Sequence, residues 1–110
     1  MLVAILLAGG VMAGAMSTAS AAPARQSGTW VGVVEQHGNH FDYVGRPCPV
    51  EVEVCAAFVA RYRIVPVSRA ARQALPEVSG GTARLEGVLV TRGDRVHHGI
   101  LFVAHVAPAG

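Results

Sequence analysis

Between Val50 and Val65 the chain alternates. Even positions are apolar or small (Val50, Val52, Val54, Ala56, Phe58, Ala60, Tyr62, Ile64), whereas Glu51, Glu53, Arg61 and Arg63 all fall on odd ones. Successive side chains of a strand point to opposite faces, so this period sets one face on a core and the other in water, as in a half-buried antiparallel strand. Its length, about 16 residues, exceeds the usual strand of 3–10. The stretch therefore reads either as one long, bent strand or, preferably, as two strands meeting at residues 55–58. In the two-strand reading Glu51 and Glu53 lie across from Arg61 and Arg63 on the wet face. Such cross-strand pairs contribute roughly 0.2–1 kcal/mol each and support register more than chemistry.

The remaining elements follow from the same rules. Residues 29–34 are rich in β-branched types and read as a strand, with Gly32 marking a bend or bulge. Residues 35–49 carry Gly38, Asn39, Gly45, Pro47 and Pro49 and read as a long loop holding a short strand at 40–44. Residues 68–75 form the one convincing helix, with Ser68 as N-cap and Pro76 as terminator. At about two turns it needs support from a sheet, and Ala71, Ala74 and Leu75 can face that sheet while Arg69 and Arg72 stay wet. After a turn at 78–81, strands are expected at 82–91 and 96–106, joined through Gly93 and Asp94. Ile100, Leu101, Phe102 and Val103 run consecutively, which implies cover on both faces of the last strand.

The amino-terminal end bears on compartment. No charged side chain precedes Arg25; residues 1–8 are apolar after Met1, and residues 17–22 are small. Ala19 and Ala21 fit the small-x-small pattern of a signal-peptidase site, so residues 1–21 read as a cleavable signal and the protein as secreted or periplasmic. The alternative is a retained membrane anchor, which needs about 20 predominantly apolar residues. Gly9, Gly10, Gly14, Ser17, Thr18 and Ser20 weaken the second half of such a span, although the leader also lacks Lys or Arg before its apolar run. Once cleaved, the chain is expected to have no membrane span. All nine basic residues are arginine and lie downstream with the seven acidic ones, for a formal charge of +2. That balance is unclustered and does not carry a nucleic-acid signature. A mature chain of about 88 residues has a thin core that a covalent staple would help.

The order strand, strand, strand, short helix, strand, strand matches an OB-fold, a five-stranded Greek-key barrel with its helix between the third and fourth strands. Residues 32–35, Cys48 with Pro49, residues 60–64 and residues 83–87, followed by a final apolar strand, resemble small exported bacterial OB-like domains. The resemblance spans residues 29–107, and it implies the barrel while assigning no function. The organisation expected is a signal peptide at 1–21, a flexible lead-in at 22–28 and an OB-like domain at 29–107. The alternative architecture is a small open β-sandwich or meander with one helix packed across it.

Few residues invite chemistry. In an exported chain Cys48 and Cys55 suggest an intramolecular disulfide. A strand from residue 50 opposes it, because seven extended steps separate the two Cα atoms by about 20 Å and a disulfide tolerates about 7 Å. The bond requires the chain around Pro47 and Pro49 to fold back; otherwise the thiols are free or pair between molecules. A metal-handling reading would gather His37 and His40, with Cys48 or Asp42. His97 and His98 point to opposite faces of a strand, His105 lies near its end, and no recognised zinc spacing occurs. A hydrolase-type reading would need His37, His40 and Asp42 to converge in a pocket. Ser68 and Ser79 read as cap and turn residues, and no serine sits in a nucleophile elbow. Tyr62 between Arg61 and Arg63 could pass for a base-stacking platform, but it shares parity with the apolar set. The expectation is a non-enzymatic binding module without a cofactor, whose partner is a small molecule, an envelope component or a protein and not nucleic acid.

Overall fold

The structure is a computed structural model that describes residues 23–92 and 98–109. The expected signal peptide, the Gly93–Asp94 turn and the expected start of the last strand at residues 96–97 lie outside that range. The elements are β1 (Pro23–His37), β2 (His40–Gly45), β3 (Ala60–Pro66), α1 (Arg69–Val78), β4 (Thr82–Arg92) and β5 (His98–Pro108). They form a closed barrel in the order β1-β2-β3-β5-β4, with β4 returning to β1. Every neighbouring pair is antiparallel except β3 and β5, which run parallel. This is the OB-like architecture, with its helix between the third and fourth strands; the open sandwich and the meander are set aside by closure.

Four expectations need correction. Residues 23–28 are not a free lead-in, because they extend β1 along β4 from Pro23 opposite Arg92 to Gly28 opposite Gly87. The far half of the long β4 strand exposes backbone donors and acceptors, and this segment satisfies them. Of the alternating stretch, only Ala60–Pro66 is a strand; residues 46–59 are an irregular loop. Pro47 and Pro49 offer no N–H to a ladder, and Cys48 and Cys55 are disulfide-bonded with Cα atoms 6.0 Å apart, which forbids an extended run. Helix α1 runs through Pro76 to Val78, since a proline in the last turn removes only one intrahelical donor. Gly32 marks neither bend nor bulge. A side chain there would place Cβ 2.6 Å from Cε1 of Tyr43, so glycine makes room for that ring.

The core is a single cluster built around Trp30, Tyr43, Tyr62, Leu75, Leu85 and Leu101. Tyr43 and Tyr62 stack with centroids 5.8 Å apart and planes 9° from parallel. One end of the barrel is closed by α1, which lies mainly against β5 and buries Ala71 and Leu75. Ser68 caps it by accepting from Ala71 N at 3.0 Å and donates to Ala104 O at 2.7 Å, which pins the helix start to β5. The other end is closed by the 46–59 loop. Pro47 and Pro49 are buried there, and Pro47 O accepts from Trp30 Nε1 at 3.3 Å and from Tyr62 Oη at 3.2 Å. On β5, Leu101 and Val103 face inward while Ile100 is 41% exposed. Only one face of that strand is fully covered, because α1 sits on the barrel end and not on its outer wall.

The disulfide closes a short segment, with a sequence separation of 7. Chain-entropy reasoning assigns such a cross-link about 2.5 kcal/mol. The double variant Cys48→Ser/Cys55→Ser should therefore melt roughly 10–20 °C lower while keeping its β-type far-UV spectrum at 25 °C. An unchanged melting temperature by circular dichroism would show that the bond does not stabilise the loop.

Candidate functional site

The outer wall of β1–β3 carries the charge. The two-residue Gly38–Asn39 turn, with Gly38 at φ +62°, sets β1 against β2 so that Glu35 faces Asp42 and His37 faces His40. The next strand then puts Arg63 beside Asp42 and Arg61 beside Val44. Arg61 Nη1 donates to Glu35 Oε1 at 2.7 Å and to Asp42 Oδ2 at 3.2 Å. His37 Nε2 lies 3.0 Å from Glu35 Oε1 and 3.9 Å from Asp42 Oδ2, and Arg63 Nε lies 3.5 Å from Asp42 Oδ1. The arginines thus meet acids of β1 and β2, not Glu51 and Glu53. Glu51 instead accepts from Thr29 N at 3.1 Å, and that backbone bond holds its carboxyl below the ordinary value.

Within this strip the Arg61 guanidinium, and then His37, hold the Glu35 carboxyl below the ordinary carboxylate range. Because the folded pKa is depressed, the group stabilises the fold above its unfolded pKa, and that gain disappears as pH falls through the folded value. Urea midpoints of the protein and of Glu35→Gln should therefore differ near pH 7 and converge as the pH is lowered below the ordinary glutamate range. A gap that stays constant down to pH 3 would show that Glu35 does not act through its charge.

His37, His40 and Asp42 do come together, with the two imidazole centroids 5.7 Å apart. They do so on an outer sheet face where Arg61 engages both neighbouring carboxylates. Cys48 is committed to its disulfide. Among the described residues no group of three or more His, Cys, Asp or Glu side chains is placed to hold a metal ion. His98 is exposed beside Arg61, His105 is exposed near the end of β5, and His97 lies outside the described residues. Tyr62 is buried. Burial also pushes the neighbouring Tyr43 phenol up to about 12, so Tyr43 remains a neutral donor, bonded to Arg46 O at 2.6 Å.

The second feature is the loop that closes the barrel. Besides its disulfide, Val50 N donates to Thr29 O at 2.7 Å, and Arg46 Nη2 donates to the carbonyls of Val52 and Glu53. Yet Val54 is 91% and Val59 72% exposed. A cleft of about 270 Å³ opens between this loop and the barrel, its wall including Pro47, Ala56, Phe58, Tyr62 and Leu89. Arg46 was not singled out by sequence reasoning. Its position between Gly45 and Pro47 signalled a turn, but not that its side chain would span the loop.

No helix among the described residues is long and apolar enough to cross a membrane. Barrel and site define a class, an OB-like barrel closed at one end by a helix and at the other by a disulfide-held loop. Comparison with protein-family models, with curated proteins and with solved structures gives no match.

Proposed function

We propose that the chain is an exported, non-enzymatic binding module that engages a protein partner through the disulfide-held loop. One observation carries the reading. The loop is fixed to the barrel by a disulfide and by backbone and arginine hydrogen bonds, while Val54 and Val59 remain turned to water. Ordering backbone costs about 1–2 kcal/mol per residue, and apolar side chains left in solvent return nothing toward that cost within the monomer. Against a partner they would lose their exposed surface without further ordering, which favours association. Export rests on the apolar leader followed by small residues and on the disulfide chemistry of the mature chain.

The test uses a photo-crosslinking residue at position 54 and, as control, at exposed Arg84, in the protein produced by its own cells. A discrete adduct from position 54 that Val59→Asp abolishes, with none from position 84, is the expected result. Equal labelling from both positions would count against the loop as the contact surface. Mass spectrometry of the recovered protein should give a mature chain beginning at Ala22; a mass that includes Met1 would refute cleavage.

A further inference from the structure

At the barrel end opposite the disulfide-held loop lies a cleft of about 380 Å³ between the β1–β2 turn, the end of β3 and α1. Its floor is apolar: Leu75 is fully buried, Ile64 nearly so, and Phe41 is packed against the core. Its rim carries Arg63 from β3, Arg72 from α1 and His40 from the start of β2. No carboxylate lines it. Arg63 is tied to Asp42 through Nε, so that bond does not use its two Nη groups. Among the described residues the Arg72 guanidinium has no ion-pair partner.

We infer that this cleft is a binding site for a small organic anion, a carboxylate carried on an aromatic or short aliphatic body. Two guanidinium groups offer forked donors matched to a carboxylate. The floor of Leu75, Ile64 and Phe41 supplies the apolar contact that most ligand sites share, and the volume falls within the roughly 300–1,000 Å³ of small-molecule pockets. The two arginines come from different elements, and only the docking of α1 against the barrel brings them to one rim. The site is separate from the loop surface proposed above, so either can fail without the other.

The probes are 1-naphthoate and 1-naphthylmethylammonium, which share an apolar body and differ in charge, titrated by calorimetry into the full-length protein. Naphthoate should bind and the ammonium should not. Arg72→Gln, a change at an exposed position, should weaken naphthoate roughly tenfold, the scale of one lost charge-assisted contact. Arg63→Gln should weaken it similarly, and Arg84→Gln, at an exposed position outside both surfaces, should leave it unchanged. Amide shifts on adding naphthoate should centre on His40, Phe41 and Leu75. Equal binding of both probes would reduce the cleft to a bare apolar contact and overturn the assignment. Full affinity in Arg72→Gln, shifts centred on residues 54–59, or no binding at all would overturn it too.

Discussion

Replacing Trp30 by alanine should remove about 3–5 kcal/mol, the range for truncating a large buried aromatic side chain. Trp30 is fully buried at the centre of β1, opposite Leu85 of β4, and its Nε1 donates to Pro47 O. The side chain therefore joins the sheet to the loop that closes the barrel, and its loss opens a cavity where those two parts meet. A domain of this size has only about 4–13 kcal/mol in total, so the variant should be largely unfolded at 37 °C. Trp30→Phe should cost much less. It retains most of the ring volume, and Pro47 O keeps its bond from Tyr62 Oη. Urea denaturation followed by far-UV circular dichroism separates the two. An alanine variant within about 1 kcal/mol of the parent, the level of a mild surface change, would place Trp30 outside the packed core.

The second large effect is expected at Gly87. The ladder between β4 and β5 shifts register between Glu86 and Gly87, and the two backbones approach closely at that irregularity. A Cβ on Gly87 would overlap Phe102 O and stand 2.9 Å from Val103 Cα. Those atoms are backbone, so no rotamer change relieves the clash, and the strands themselves must part. Gly87→Ala should thus cost at least about 3 kcal/mol, the upper end for ordinary overpacking, with faster amide exchange along β4 and β5. Gly81→Ala is the matched control, since its Cβ would come no nearer than 3.7 Å to Val78 O. Equal stability of the two variants would mean that the β4 and β5 backbones leave room for a side chain at Gly87.

These expectations depend on contacts that differ in how far they could be read beforehand. Tyr62 was assignable to the core because it shares parity with Ile64 and opposes the parity of Arg61 and Arg63. The helix start was legible in Ser68, whose side chain accepts from Ala71 N as local capping chemistry requires. The charged strip was not read from the sequence, which put residues 35–39 in a loop; its one signal was Gly38 and Asn39, a two-residue hairpin turn that sets Glu35 opposite Asp42. That Arg61 would reach both acids needed the third strand to be placed. The 50–59 stretch misled because apolar alternation says only that side chains could share a face; it does not report the prolines' missing donors or the disulfide's short span. Residues 23–28 misled for the opposite reason. Their pattern is weak, and they are held as strand by the unpaired backbone of β4.

Local patterning alone thus determined the order of strands about a single helix, the helix cap and the inward parity of Tyr62. Each depends on side-chain period, backbone donors or capping within a few positions, all of which are written along the chain. Closure between β1 and β4, the parallel pairing of β3 with β5, the loop that seals one end and the joining of Arg63 with Arg72 on one rim were settled only by packing. Each brings together residues far apart in sequence, and the free energy that selects them comes from burying a shared core that no single segment encodes.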